Sequence, residues 1–153
     1  MVLDSMLIRY SNSFEDIQTT CPQITSLDLS RNLFISLATV AEICRPLQNL
    51  RSLRLTGNRL WNIALSDGLS SAFQKVEWLS LNMCCLYWDE IESILEWFTR
   101  VKHVEIGFNR LPNPSRTINL PPSLEALILE SNEISSLQIL DFLDAKGYIS
   151  LPL

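Results

Sequence analysis

The side chains of this chain that could support catalysis or bind a metal are few. Cys84 and Cys85 are adjacent thiols, His103 is the single histidine, and Glu105 follows it on the same side of a possible strand. A zinc site requires Cys and His at paired spacings, which two adjacent cysteines and one distant histidine do not provide. His103 could act as an acid or base, but Glu105 is its one evident partner, and such a pair on a strand face is typically exposed. We therefore expect no catalytic residues, no metal and no cofactor.

These side chains belong to a frame that recurs along the chain. Residues Leu50–Leu60, LRSLRLTGNRL, match the leucine-rich repeat pattern L-x-x-L-x-L-x-x-N-x-L at every specified position. The frame recurs at Ile24–Phe34, Val76–Leu86, Val101–Leu111 and Leu124–Ile134. Its starts at residues 24, 50, 76, 101 and 124 are separated by 26, 26, 25 and 23 residues, within the roughly 20–29 residues of this repeat class. Five matches in one register predict tandem repeats.

The spacing of the aliphatic positions has a physical reason. Positions 4 and 6 of the frame lie on one side of a short strand, and position 5 lies on the other side. The amide of the position-9 Asn can both donate to and accept from backbone groups as the chain leaves each strand. No repeat buries its apolar side alone, so the five must stack around one core. The sequence therefore predicts an α/β leucine-rich-repeat solenoid, with a curved parallel β-sheet on its concave side and helices and irregular segments on its convex side.

The two ends of the chain match the frame less well than its middle. Residues 1–153 are predicted to form one domain, which we expect to be a segment of a larger protein. Residues 1–23 are interpreted as a degenerate repeat, either a cap or the first visible repeat of a longer array. Residues 136–144 predict a short helix, and residues 146–153 contain no further strand match. In the degenerate repeat, Ser11 stands in place of the Asn, and the aliphatic strand positions are assigned to Leu3, Met6 and Ile8.

The segments between the frames predict a varied convex side. Residues 36–47 and 89–98 each carry apolar residues at the spacing of one helix face and predict helices. Residues 61–75 are less regular and contain a turn. Residues 112–123 contain four prolines, which predict an extended segment instead of a helix.

Composition and charge narrow the classes of function. Hydrophobic residues make up 47% of the chain and charged residues 19%, as in globular proteins. The net charge of −5 disfavours nonspecific binding to nucleic acid, which requires a basic face. The chain shows no signal peptide, no N-x-[ST] sequon and no apolar run near the roughly 18 residues of a membrane span. We expect a monomer in the reducing cytoplasm, with no nucleic-acid or membrane partner.

The outward positions of the predicted strands form the concave face, which is the usual binding side of such repeats. Several of these positions carry aromatic or Met side chains that the core does not need, surrounded by charges. This arrangement is typical of interface centres, and the alternative is scattered apolar surface, which is common on any protein. The predicted binding surface consists of Arg54, Trp78, Met83, His103, Glu105, Phe108, Ile128 and Glu130.

Three cysteines have structural interpretations. Cys84 occupies the Asn position of its frame, where the repeat pattern also allows Cys, so we expect a structural thiol close to the backbone. Cys85 points the other way and is either packed or exposed. Cys44 falls on the apolar face of the first predicted helix, where a thiol acts as a small apolar side chain.

The order of details along the chain also resembles the leucine-rich-repeat domain of the tubulin-folding cofactor E (tubulin-specific chaperone E) family. The residues that carry the resemblance are Cys21-Pro22 ahead of ITSLDLSRNL, then NLRSLRLTGNRL, VEWLSLN followed by CLYWDEIESIL, and LEALILESNEISSL. The most specific piece is Trp88-Asp89-Glu90, a Trp followed by acidic residues and a helix after a repeat that lacks the Asn. The resemblance covers nearly the whole chain.

This resemblance implies a binding module that is not an enzyme. Family members hold α-tubulin during assembly of the α/β-tubulin heterodimer, alongside other tubulin-folding cofactors, and can also take the heterodimer apart. They carry a CAP-Gly domain and a ubiquitin-like domain in addition, and neither is recognisable in these 153 residues. The implied function is chaperone-type binding of α-tubulin, in the cytoplasm and at the cytoskeleton. The alternative is a regulatory or scaffolding repeat protein for another intracellular partner, such as a phosphatase or a ribonucleoprotein subunit.

Overall fold

The protein is built on one parallel sheet. A computed structural model of the chain describes residues 1–8, 22–64, 67–135, 139, 141 and 148–150. Six strands pair in chain order, each with the next one along the sequence. Helices and irregular segments connect them, so the fold is α/β with a parallel sheet, as predicted. The strands are β1 (Ser26–Asp28), β2 (Ser52–Arg54), β3 (Trp78–Ser80), β4 (His103–Glu105), β5 (Ala126–Ile128) and β6 (Tyr148–Ser150).

The first five strands align at equivalent positions of their frames. At position 4, the paired residues across the sheet are Leu27, Leu53, Leu79, Val104 and Leu127, and all five side chains are buried. The position-6 side chains are buried beside them: Leu29, Leu55, Leu81, Ile106 and Leu129. One side of strands β1 to β5 therefore faces the core, which confirms the predicted alternation within these strands.

The helices predicted at residues 36–47 and 89–98 are present on the buried side of the sheet. Helix α1 (Leu37–Cys44) begins where the Ser36 hydroxyl accepts the backbone N–H of Ala38 at 3.2 Å, which satisfies one of the unpaired donors of the first turn. It ends short of Pro46, whose ring cannot continue the helical hydrogen bonds. Helix α2 (Trp88–Leu95) begins one residue earlier than predicted and ends three residues earlier.

The helices pack their apolar faces into the core as predicted. Between them, a 3₁₀ helix (Asp67–Phe73) places Phe73 against Phe98, with ring centroids 4.5 Å apart and planes 13° from parallel. Residues 112–123 form no helix, which agrees with their proline content. The predicted buried positions that the structure confirms are Val40, Ile43, Cys44 and Leu47 for α1, and Ile91, Ile94, Leu95 and Phe98 for α2.

Asparagine side chains connect each repeat to its neighbour. Asn58 is fully buried, and its Nδ2 donates to the carbonyl oxygens of Leu29 and Leu55, both at 2.9 Å. Its Oδ1 accepts the backbone N–H groups of Asn32 at 3.2 Å and Phe34 at 3.3 Å. One amide thus satisfies four backbone groups where the chain leaves two adjacent strands, which confirms the predicted role. The same pattern is formed by Asn32, Asn109 and Asn132.

Cys84 replaces this asparagine and forms part of the same pattern. Its Sγ donates to the carbonyl oxygen of Leu55 at 3.3 Å. A thiol is a poor acceptor, and the backbone N–H of Asn58 donates to the Leu55 carbonyl at 3.2 Å instead of to a side chain of the next repeat. The predicted structural role of Cys84 is therefore confirmed, with fewer bonds than an amide would make.

The N-terminal residues lie in a different register from the predicted one. Met6 and Ile8 donate their backbone N–H groups to Oδ1 of Asn32, both at 3.0 Å, as residues at positions 9 and 11 do in the later repeats. Val2, not Met6, bridges to β1. The predicted register of Leu3, Met6 and Ile8 was therefore wrong: Leu3 lies at position 6, and Met6 and Ile8 lie beyond the strand. A few aliphatic residues fit more than one register of so short a pattern, and the long-range bonds to Asn32 select between them.

The C-terminal residues supply a strand that was not predicted. Strand β6 pairs in parallel with β5, and Ile149 lies opposite Leu127. The prediction that residues 146–153 contain no further strand was wrong. These residues do not match the frame, but the open edge of β5 offers them hydrogen-bond partners. Ser11 and most of the short helix predicted at residues 136–144 lie outside the described residues.

A carboxylate fixes the proline-rich segment to helix α2. Glu92 accepts the backbone N–H of Asn119 at 2.6 Å and forms an ion pair with Arg116. The hydrogen bond from Arg116 is the main cause that holds the pKa of Glu92 below its ordinary value of 4.5. A lowered pKa in the folded state means that this contact stabilises the protein above the unfolded-state pKa and is lost as pH falls through the folded-state value.

Replacing Glu92 with Gln is therefore expected to destabilise the protein at neutral pH and to make its stability less sensitive to acid. The measurement is the free energy of unfolding in denaturant at a series of pH values that extends below about 4.5. Glu96→Gln is the control, because Glu96 is an exposed residue at the end of the same helix. If Glu92→Gln and the parent chain lose stability in parallel on acidification, the carboxylate does not carry this contact.

Candidate protein-binding surface

The outward side of the sheet carries the residues of the predicted binding surface. Trp78 begins β3, with 41% of its surface exposed, and it pairs in register with His103 at the start of β4. Arg54 and His103 are exposed on either side of it, and Glu105 is half-buried at the end of β4. Adjacent strands thus bring together side chains that are 23–27 residues apart in sequence.

Trp78 is held by three neighbours. Its Nε1 donates to Oε1 of Glu105 at 3.2 Å. The guanidinium carbon of Arg54 lies 6.0 Å from the indole centroid, at the outer limit of a cation–π contact. The His103 ring lies 6.0 Å away on the other side, tilted by 39°. A large, partly exposed aromatic ring is therefore fixed in one orientation, so binding costs little of its conformational entropy.

Glu105 is itself positioned by Asn82, which lies in the loop that follows β3. Its Oε2 accepts Nδ2 of Asn82 at 3.2 Å, while Oδ1 of Asn82 accepts the backbone N–H of Gly107 at 2.6 Å. A Cβ on Gly107 would meet the carbonyl oxygen of Glu130 at 2.9 Å, so glycine permits this close approach. A series of hydrogen bonds thus runs from Gly107 through Asn82 and Glu105 to Trp78. It joins the Glu105 carboxylate and the Trp78 ring in one unit.

Met83 and Phe108 lie at the corner where the chain leaves the sheet. Their backbone φ angles are 56° and 58°, in the left-handed region that disfavours large side chains. Both are exposed, by 48% and 55%, so core packing does not compensate for this conformation. Position 8 is left-handed in every frame: Arg31, Gly57, Met83, Phe108 and Ser131. The left-handed conformation is therefore a property of the repeat turn, and Met83 and Phe108 differ from the other frames in exposing a large apolar side chain there.

The remaining predicted positions differ in exposure. Ile128 is half-buried opposite Glu105, and Glu130 is exposed beyond it. Not every outward position reaches the surface, however. Ser80, on the outward side of β3, is only 1% exposed, because it is small and its hydroxyl lies 3.0 Å from that of Thr56. The alternation of the strand thus gives the direction of a side chain, while the size of its neighbours decides its exposure.

The thiols differ in their surroundings. Cys44 and Cys84 are buried, and Cys85 is exposed, which decides between the two interpretations of Cys85. Burial raises the pKa of Cys84 to about 12 and raises the pKa of Cys44 further above its ordinary value. In the described part of the chain, no three His, Cys, Asp or Glu side chains cluster as metal ligands do. None of the helices among the described residues has the length and apolar character needed to span a lipid bilayer.

Cys85 is therefore expected to react with iodoacetamide at neutral pH about a hundredfold faster than Cys44 or Cys84, since the thiolate is the nucleophile and burial suppresses it. Peptide-level mass spectrometry of the folded chain measures the three rates separately. In denaturant the three should react alike, which serves as the control. Equal rates for Cys84 and Cys85 in the folded chain would contradict the burial of Cys84.

The geometry defines a class of protein, and known proteins of similar sequence identify its relatives. In-register parallel strands linked by buried amides place the chain among α/β proteins assembled from tandem strand-containing units. No family profile matches the chain. The chain is related to tubulin-specific chaperone E, as the sequence resemblance implied.

The relatives cover most of this chain but match with only a part of their own length. Tubulin-specific chaperone E of Danio rerio is 32% identical over 126 residues, which are 82% of this chain and 24% of that protein. The Xenopus laevis protein of the same name is 30% identical over 115 residues, 75% of this chain and 22% of its own. Protein PAC2 of Saccharomyces cerevisiae is 27% identical over 138 residues, 86% of this chain and 26% of its own. The chain thus spans about a quarter of the length of these curated relatives.

Proposed function

We propose that this chain is a leucine-rich-repeat solenoid that acts as the protein-binding module of a tubulin-folding chaperone. Its concave face binds α-tubulin during assembly or disassembly of the α/β-tubulin heterodimer, alongside other tubulin-folding cofactors. It works as a monomeric binding protein, not as an enzyme, in the cytoplasm and at the cytoskeleton, and it engages neither nucleic acid nor membrane.

The observation that carries this proposal is the fixed, partly exposed Trp78. Interface hot spots are enriched in Trp, Tyr and Arg and lie at the centre of a patch whose rim excludes water. Trp78 lies between Arg54 and His103 and is bound to Glu105, while Met83 and Phe108 extend the apolar area. These side chains are organised before any partner arrives, which favours binding of a folded surface.

The charges around Trp78 favour a protein partner over nucleic acid. Arg54 contributes one positive charge, and Glu105 and Glu130 contribute two negative charges on the same face. A nucleic-acid site needs an excess of positive charge to contact phosphates, and the whole chain carries −5. Mixed charge around an apolar centre is instead the composition of a protein interface.

The choice of tubulin as the partner in this proposal rests on the name of the relatives. Their name, tubulin-specific chaperone E, recurs in several vertebrates at 27–32% identity to this chain. Since the chain corresponds to about a quarter of those proteins, the proposal is that this quarter contributes binding to the tubulin body.

The test is an equilibrium binding assay with the 153-residue chain and purified α/β-tubulin, read by the fraction of tubulin retained on immobilised chain. A pull-down from cytosolic lysate, with bound proteins identified by mass, accompanies it. Retention of α-tubulin in both supports the proposal. A folded chain that retains no tubulin but enriches a phosphatase or ribonucleoprotein subunit would overturn it in favour of the scaffolding alternative.

A further inference from the structure

A second exposed apolar surface lies at the edge where the chain turns from the sheet towards the convex side. Ile35, Trp61 and Tyr87 occupy the same place in three successive repeats, just beyond each frame, and we call them the edge row. They are 58%, 75% and 72% exposed, respectively, which is more than Trp78. The backbone N–H of Trp61 donates to the carbonyl oxygen of Ile35 at 2.9 Å, so their backbones are adjacent. Contiguous aromatic exposure of this kind marks interaction sites.

Two open clefts flank the central member of the edge row. One, of about 420 Å³, lies between Trp61 and Ile35 and includes Leu33. The other, of about 460 Å³, lies between Trp61 and Tyr87 and includes Cys85. The indole of Trp61 lines both clefts, so one binding segment could place an apolar side chain on each side of it.

A positively charged side chain lies beside both clefts. Arg59 lines both of them. Within the described part of the chain, the ion pairs join other residues and leave Arg59 without an acidic partner. Glu90 also lines the second cleft, where its carboxylate accepts the backbone N–H of Tyr87 at 2.8 Å and keeps its negative charge. In the first cleft Arg59 is the one charged side chain among the described lining residues. The group on a partner that complements this site is therefore a carboxylate.

We propose that the edge row is a docking site for an extended, acidic peptide segment of a partner protein, in which two apolar side chains fill the clefts and a carboxylate pairs with Arg59. A second copy of this chain is a poorer occupant. A two-fold contact through the first cleft, where Arg59 is the one charged side chain of the described lining, would bring two Arg59 side chains together, and like charges disfavour it. The inference is independent of the proposed function, because it concerns a different face of the molecule and a different ligand.

The test is selection of a phage-displayed random peptide library on the 153-residue chain, followed by affinity measurement on the enriched peptides. The expected peptides combine acidic and apolar residues. Their affinity should fall about tenfold or more on Trp61→Ala and on Arg59→Glu, and it should be unchanged on Trp78→Ala. Both Trp61 and Arg59 are exposed, so these variants are expected to fold, and circular dichroism checks this.

The alkylation rate of Cys85 reports whether a peptide is bound in the second cleft. Because Cys85 lies in that cleft, a bound peptide should slow its alkylation, and the effect should vanish in the Trp61→Ala variant. Peptides without acidic residues, peptides whose binding depends on Trp78 instead of Trp61, or failure to enrich any peptide would each overturn the proposal. So would concentration-dependent dimerisation that Trp61→Ala abolishes, since the occupant would then be a second copy.

Discussion

Replacing Trp78 with Ala is expected to weaken α-tubulin binding by about thirtyfold or more, while the protein remains folded. The ring is the largest group on the outward side of the sheet, and its truncation removes apolar contact area together with the hydrogen bond to Glu105. Trp78 is 41% exposed and lies on the side of the sheet away from the core, so its loss opens no cavity. Titration of labelled tubulin with the parent chain and the variant measures the change.

Three further variants identify the cause of that loss. Trp61→Ala removes a more exposed indole from the edge row and should leave tubulin affinity unchanged. Trp78→Phe retains an aromatic ring but cannot donate to Glu105. It therefore separates the contribution of the ring to affinity from that of the hydrogen bond that orients it. Charge reversal in Glu105→Lys should abolish binding, because it removes the acceptor for Trp78 and changes the charge of the surface. If Trp78→Ala and Glu105→Lys both leave affinity unchanged, the binding surface is elsewhere.

Replacing Asn58 with Ala is expected to cost about 3–4 kcal/mol of unfolding free energy. The amide is fully buried and makes four hydrogen bonds to backbone groups of two repeats. Removing it leaves two N–H groups and two carbonyl oxygens without that partner, and water has no ready access to them. Denaturant unfolding followed by circular dichroism measures the loss.

Cys84→Ala is the matched control, because Cys84 lies at the same position one repeat further along. Its thiol has a single, weak S–H donor within 3.3 and 3.4 Å of two carbonyl oxygens, so we expect a loss of about 1 kcal/mol. In the opposite direction, Cys84→Asn should raise stability, since an amide oxygen can accept the N–H groups that a thiol cannot. A loss for Asn58→Ala no greater than that for Cys84→Ala would show that the amides do not connect the repeats.

The sequence predicted on which face of the sheet the side chains of the candidate site lie, but not which contacts they make with one another. The frame placed Trp78, His103 and Glu105 on one face, because alternation along a strand is a local property of the backbone. That Trp78 donates to Glu105, and that Asn82 holds Glu105 in place, depends on residues that parallel pairing brings together from different repeats. The edge row escaped sequence analysis for a related reason. Ile35, Trp61 and Tyr87 recur directly after the frames, but the repeat pattern specifies no residue type at that place and so does not indicate whether the side chain is exposed.

The sequence by itself determined the repeat register from residue 24 to residue 134, since five frames carry the same aliphatic positions and mostly the same amide. It also determined helices α1 and α2, the absence of a helix from the proline-rich segment and the relation to tubulin-specific chaperone E. Only the tertiary structure decided the N-terminal register and strand β6. There the local pattern is too weak to select one pairing, and hydrogen bonds to Asn32 and to the edge of β5 select it instead.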